Sequence, residues 1–198
     1  LTDALKRGAA LVALAACSGH AVSACGPDAT VAPIDDYTFT FRVCGNSLFG
    51  TVTAKATGWV AVGFSRSQYM PATDVFMAGV LADGTVYGKD AFAFSRSPPV
   101  IDASQDVQLL DASESNGVTT YAFSRLLTTG DSADFDLRDG PYYILGAFHL
   151  TSDSLTDRHT SADAYEFTFH FAPVAEPQSL LMLLAGLGLL ASTRYRPR

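Results

Sequence analysis

The sequence is poor in the residues on which most enzyme chemistry depends. It holds three cysteines, four histidines, three methionines and one tryptophan in 198 residues. No Cys-x-x-Cys pair is present, which excludes a thioredoxin-like dithiol, a zinc ribbon and the Cys-x-x-Cys-His attachment of a covalent haem. A Gly-x-Ser-x-Gly nucleophile elbow, a phosphate-cradling glycine loop and a His-Glu-x-x-His metal helix are also missing. Basic charge is scarce. Setting aside Lys6, Arg7, Arg194, Arg196, Arg198 and Asp3 leaves 8 of the 13 basic and 19 of the 20 acidic residues, a net charge of -11. Such a chain repels nucleic acid and anionic lipid, so neither is an expected partner.

Both ends differ from the middle. Lys6 and Arg7 precede the apolar run Ala9 to Ala16, and Val22-Ser23-Ala24 follows with small residues. This three-part order is that of a secretory signal helix over residues 1–24, cleaved by signal peptidase. Leu14-Ala15-Ala16-Cys17 also fits a lipobox, and Val22-Ser23-Ala24-Cys25 fits it loosely, so lipidation at Cys17 or Cys25 stays open. With Cys17 removed alongside the signal, Cys25 and Cys44 remain as a pair. In an oxidising compartment that pair suggests a disulfide. At the other end, Leu180 to Leu190 is an almost unbroken apolar run, followed by three arginines. It approaches the roughly 17–20 residues needed to span a bilayer, giving an expected transmembrane helix at about 178–193.

Between these ends no stretch sustains a 3.6-residue apolar period. Period-2 alternation takes its place. Tyr37, Phe39, Phe41 and Val43 alternate with polar residues, as do Tyr165, Phe167, Phe169 and Phe171. Further strands are expected at 48–54, 59–64, 75–81, 85–89, 107–112, 119–125 and 142–148. Gly45-Asn46, Asp83-Gly84, Asn116-Gly117 and Asp139-Gly140 mark the turns. About nine short strands at this spacing indicate an all-β, immunoglobulin-like antiparallel β-sandwich. Its longest irregular stretches fall at 65–74, 90–105 and 149–164, where functional loops are expected.

Two of those loops carry chemistry. Met70 lies in the first, and His159 in the last, which His149 opens. His170 sits on the polar parity of its strand, and Met77 lies within an apolar one. A thioether and an imidazole can together hold a haem iron from opposite faces. The surrounding residues extend the pattern. Gly58-Trp59-Val60-Ala61-Val62-Gly63-Phe64-Ser65, then Met70, then Asp74-Val75, resembles the heart of a DOMON domain. Asp83-Gly84, Gln105-Asp106, Phe123-Ser124-Arg125, Tyr142-Tyr143 and Arg158-His159 follow in order, so the resemblance spans residues 30–171 within a domain of 25–173. It implies a module that binds either haem b or sugar. Haem-binding members, such as the cytochrome domain of cellobiose dehydrogenase, use an early Met and a late His. Met70 and His159 match those positions as axial ligands, with His149 in reserve. The implied role is single-electron transfer with a separate redox protein. The alternatives are a carbohydrate-binding module using Trp59 and tyrosines, or a structural matrix protein; intrinsic catalysis is left open.

The tail, residues 174–198, resembles the PEP-CTERM sorting signal read by exosortases. Glu176-Pro177 precedes the apolar run here, without the usual first proline. That resemblance implies a Gram-negative bacterium and delivery to the cell envelope, outer surface or extracellular matrix, with membrane contact before the tail is removed. Intact mass spectrometry of the protein from its native host should then find no residues beyond about 177. Recovery of the whole tail would leave only simple membrane anchoring.

Overall fold

The computed structural model describes residues 25–170. The expected signal helix, the tail helix, Cys17, Phe171, Glu176 and Pro177 lie outside them. Among the described residues no helix is long and apolar enough to cross a membrane.

The described chain forms two antiparallel sheets stacked as a sandwich. One contains, in spatial order, β1 (Ala29–Val31), β2 (Tyr37–Cys44), β3 (Ser47–Ala54), β9 (Val118–Leu126) and β8 (Val107–Ser115). The other contains β11 (Ser161–Phe169), β10 (Gly140–Phe148), β4 (Val60–Ser65), β5 (Thr73–Val80), β6 (Val86–Ala93) and β7 (Val100–Ile101). The all-β sandwich expected from alternation is therefore present. Strand count and bounds differ. β1 and β7 are too short to leave a periodic signature. β6 runs on to Ala93 because Asp90, a residue that reads as loop, is buried within it. β11 begins at Ser161, so the final loop is shorter than expected.

The core between the sheets is aromatic. Phe39, Phe41, Leu48, Val52, Tyr121 and Phe123 of the first sheet meet Val60, Val62, Phe64, Phe76, Tyr142, Ile144 and Phe169 of the second. Phe39 stacks on Phe41 and Phe123 at centroid separations of 4.9 and 6.0 Å, and meets Phe64 edge-on. Such pairs add roughly 0.5–1.5 kcal/mol beyond area burial. On edge strand β11 the aromatic parity is only partly covered. Phe169 is buried, but Tyr165 is 47% exposed.

Turn chemistry follows the sequence closely. Asn116 and Gly117 both take positive φ, 54° and 75°, as a two-residue hairpin between β8 and β9 requires. A buried ion pair crosses the core. Arg125 on β9 pairs with Asp74 on β5, both almost fully buried, and donates to the Phe135 carbonyl at 2.8 Å. The Phe135 N–H also donates to Asp74, at 3.0 Å.

Cys25 is bonded to Cys44, tying the described N-terminal segment to the end of β2. Closing a loop of this size stabilises the chain by roughly 3 kcal/mol in the chain-entropy account. Thiol labelling of the denatured, non-reduced mature protein should find neither cysteine free. Reduction should lower stability by roughly 2–4 kcal/mol in a denaturant titration, and labelling of both residues without reductant would contradict the bond.

Candidate functional site

β4 and β5 are buried along almost their whole length, on both faces. Their inner side chains enter the sandwich core. Their outer side chains, with Trp59 just ahead of β4, build a second apolar cluster of Trp59, Ala61, Val75, Met77 and Ala93. Met70, Tyr87, Ala147 and Leu155 pack against it from the sides. Met77 and Trp59, at 2% and 4% exposure, are buried as their apolar strand setting suggests, but in this second layer and not between the sheets.

That outer layer is incompletely roofed, and a cleft of about 770 Å³ remains. The volume falls within the roughly 300–1,000 Å³ usual for small-molecule and cofactor sites. Its floor is made of small residues on adjacent strands: Ala61 and Gly63 on β4, Gly146 and Ala147 on β10, and Ala162 on β11. Trp59, Val75, Met77, Leu145 and Leu155 form apolar walls. Three loops frame the mouth. Residues 66–72 contribute Gln68, Tyr69 and Met70; residues 94–99 contribute Arg96 to Pro99; residues 149–160 contribute Leu155 to His159.

Met70 and His159 thus reach one cleft from loops far apart in sequence. Both are half-buried. Burial, and then the neighbouring Arg158 charge, hold the His159 imidazole below its ordinary pKa of 6.5. Neutral imidazole, the form that ligates metals, therefore predominates at pH 7. His149 has a different place. It does not line the cleft, and its Nδ1 accepts the N–H groups of Ser152 at 2.8 Å and Thr151 at 3.2 Å. His149 shapes the turn from which the His159 loop departs.

That turn is clamped onto the strand before the cleft. The Thr57 N–H donates to the Leu150 carbonyl at 2.8 Å, and the Trp59 N–H to the Ser152 carbonyl at 3.0 Å. The approach is so close that a Cβ on Gly58 would lie 2.3 Å from the Ser152 oxygen and 2.7 Å from the His149 oxygen. Only glycine fits, which gives the glycine of the Gly-Trp block a physical reason. Farther along, Tyr87 on β6 donates to Asp153 at 3.1 Å, fastening the loop to the opposite side of the cleft. Across the mouth, Ala72 holds a left-handed φ of 59°, with its N–H donating to the Ala93 carbonyl at 2.7 Å. Ala72 sets the direction of the loop that carries Met70.

Charge and hydrogen-bonding capacity also gather at the cleft. Arg96 and Arg158 stand exposed at its mouth beside Asp157 and Asp163. The Trp59 indole N–H is buried in the wall without a protein acceptor. Because Trp59 is buried, its ring is not offered as a surface stacking platform; Tyr69, at 55% exposure, is the exposed aromatic at the mouth.

A two-sheet antiparallel sandwich with an apolar, polar-rimmed cleft on the outer face of one sheet places the chain among the β-sandwich modules. The DOMON domain profile matches residues 35–149, and the chain belongs to that family. Two solved structures share the fold. The cytochrome b domain of pyranose dehydrogenase from Coprinopsis cinerea superposes with a TM-score of 0.51 at 18% identity, over 67% of this chain and 76% of that one. The cytochrome domain of Myriococcum thermophilum cellobiose dehydrogenase superposes with a TM-score of 0.50 at 14% identity, over 77% and 86%. Among curated proteins, mouse DBH-like monooxygenase protein 2 is 33% identical over 94 residues, 48% of this chain and 15% of that protein. Mouse DBH-like monooxygenase protein 1 is 34% identical over 105 residues, 53% and 17%. The chain spans less than a fifth of each of these relatives.

In a histidine-resolved NMR titration, His159 should give up its proton at a pH below 6.5. Replacing Arg158 with Gln should move that midpoint upward, since the guanidinium opposes protonation. A midpoint unmoved by that substitution would contradict the electrostatic reading of the cleft mouth.

Proposed function

We propose that the cleft binds haem b non-covalently, with Met70 and His159 as its axial ligands, and that the domain transfers single electrons at the surface of the cell that exports it. The observation that carries this reading is the convergence of one thioether and one imidazole on a single apolar cleft. The side chains suit the group. Small residues on the floor leave room for a flat ring, and the apolar walls exclude water from it. His159 is held neutral and ready to ligate. Arg96 and Arg158 at the mouth can pair with the acidic side chains of haem, and the Trp59 N–H is available to an acceptor within the cleft.

Haem b in such a site supplies a one-electron couple, and a thioether ligand raises its potential relative to two imidazoles. The protein's share is positional. The 66–72 loop would present Met70 to the group and the clamped 149–160 loop would present His159, over the floor of small residues from β4, β10 and β11. Apolar walls disfavour the additional charge of the oxidised iron, which raises the potential in the same direction as Met70 does. The fold's likeness to two cytochrome domains supports haem in preference to sugar. The disulfide and the signal-like N-terminus support export, and the Glu176-Pro177 tail supports sorting to the envelope or matrix by an exosortase.

Reconstitution with haem, followed by absorption spectra before and after reduction, tests the proposal. The expected result is a low-spin spectrum at one haem per chain. His159→Ala should abolish stable binding. Met70→His should keep the haem and lower its potential. A folded protein that takes up no haem, yet binds immobilised oligosaccharide, would replace this reading with carbohydrate recognition. A low-spin spectrum that survives loss of His159 but not of His149 would move the ligand.

A further inference from the structure

Away from the cleft, at the core side of β5, three carboxylates from distant parts of the chain meet. Asp74 lies on β5, Asp90 on β6, and Asp134 in the connection between β9 and β10. One oxygen from each lies within 4.8 Å of the others. Asp74 and Asp90 are only 2% and 1% exposed, and Asp134 is half-buried.

The cluster is short of positive charge. Arg125 is the cation against it, and both its contact and that of the Phe135 N–H fall on Asp74 Oδ2. Three carboxylates against one guanidinium leave two negative charges uncompensated, in a setting where unpaired charge is costly. Hydrogen bonding is also incomplete. Asp90 Oδ2 accepts the Asp106 N–H at 3.1 Å, but Asp90 Oδ1 is buried with no partner. Asp134 Oδ2 is likewise buried and unpartnered, as is Oδ2 of the nearby Asp102. An orphaned oxygen on a side chain this deeply buried is a rare feature that calls for an ion, a water or a proton.

We propose that Asp74, Asp90 and Asp134 form a Ca²⁺ site that joins β5 and β6 to the β9–β10 connection.

The donor chemistry selects the ion. All three ligands are hard carboxylate oxygens, without the nitrogen or sulfur that zinc and copper favour. Calcium–oxygen bonds of about 2.3–2.6 Å place opposite ligands up to roughly 5 Å apart, which accommodates the observed spacing. Magnesium keeps several waters and is usually held by only one or two carboxylates, so a three-carboxylate cage favours calcium. One divalent ion would also cancel the residual charge of the cluster. The site bears on the cleft indirectly. Asp74 lies between Thr73 and Val75, both of which line the cleft from the other face of β5. Fixing Asp74 braces that strand.

Calorimetric titration of CaCl2 into the chelator-stripped full chain, with thermal unfolding alongside, tests the site. The expected result is one Ca²⁺ per chain, with a Kd in the range of about 0.1–1 mM seen for extracellular calcium modules, and a saturable rise in Tm. MgCl2 should do markedly less. Asp90→Asn and Asp134→Asn should each weaken Ca²⁺ binding by about tenfold or more, since even outer-shell partners of a metal contribute 10–100-fold. Asp134 is half-buried in a connection, so its variant serves if Asp90→Asn does not fold. Asp163→Asn, a carboxylate at the cleft mouth, should leave the response intact. No saturable Ca²⁺ response in the stripped wild-type chain would overturn the proposal. So would a response lost equally in Asp163→Asn, or unchanged in Asp134→Asn.

Discussion

The structure depends on a pair of neighbouring strands that cannot face water on either side. β4 and β5 are buried on both faces, so the chain must cover them twice. On one side the facing sheet of β1, β2, β3, β9 and β8 does so with a dense aromatic layer. On the other side no third sheet is found among the described residues, and loops serve instead. Loops cannot pack over a flat apolar surface as a sheet can, because their backbone polar groups need partners. The partial roof they form leaves an apolar cleft. The cleft is thus a consequence of how the sandwich is finished, and the loops that finish it carry Met70 and His159.

Those loops are held by specific contacts. Backbone hydrogen bonds from Thr57 and Trp59 clamp the turn after β10, and Gly58 permits the approach. His149 organises the same turn, and Tyr87 fastens the loop's far side through Asp153. The left-handed Ala72 and its bond to Ala93 do the equivalent for the Met70 loop. The loops that carry Met70 and His159 therefore rest on strands and clamps, the rigid support that a precise binding site needs. The strongly acidic surface leaves Arg96 and Arg158 conspicuous at the mouth. Among the described residues the one buried guanidinium, Arg125, is committed to Asp74.

Much of the fold was legible in the sequence because a sheet with one covered face writes its period directly. Tyr37 to Val43 reads as a strand on sight, and Asn116-Gly117 as its kind of turn. The misreadings have physical causes. Asp90 looks like a loop residue because a buried carboxylate within a strand is costly, and the partners that hold it there are far away in the chain. Ser161 to Ala164 has no large apolar side chain to mark its parity, so β11 reads late. Trp59 and Met77 read as buried, but alternation cannot tell one apolar layer from two when both faces are covered. The site was legible only through the Gly-Trp block and the positions of Met70 and His159 within the family pattern. His149 and His159 are equivalent as letters in one loop, and three-dimensional placement separates them. Asp74, Asp90 and Asp134 carry no spacing signal, because pairing across strands, not proximity in sequence, brings them together.

The central claim is that one cleft presents a thioether and an imidazole to the same iron. Iron K-edge X-ray absorption of the haem-loaded protein addresses it most directly, because sulfur and nitrogen scatter distinguishably at bonding distance. The account requires a single sulfur scatterer among the nitrogens, lost when Met70 is replaced by Leu. An iron shell of nitrogen and oxygen alone in the wild-type protein would contradict it.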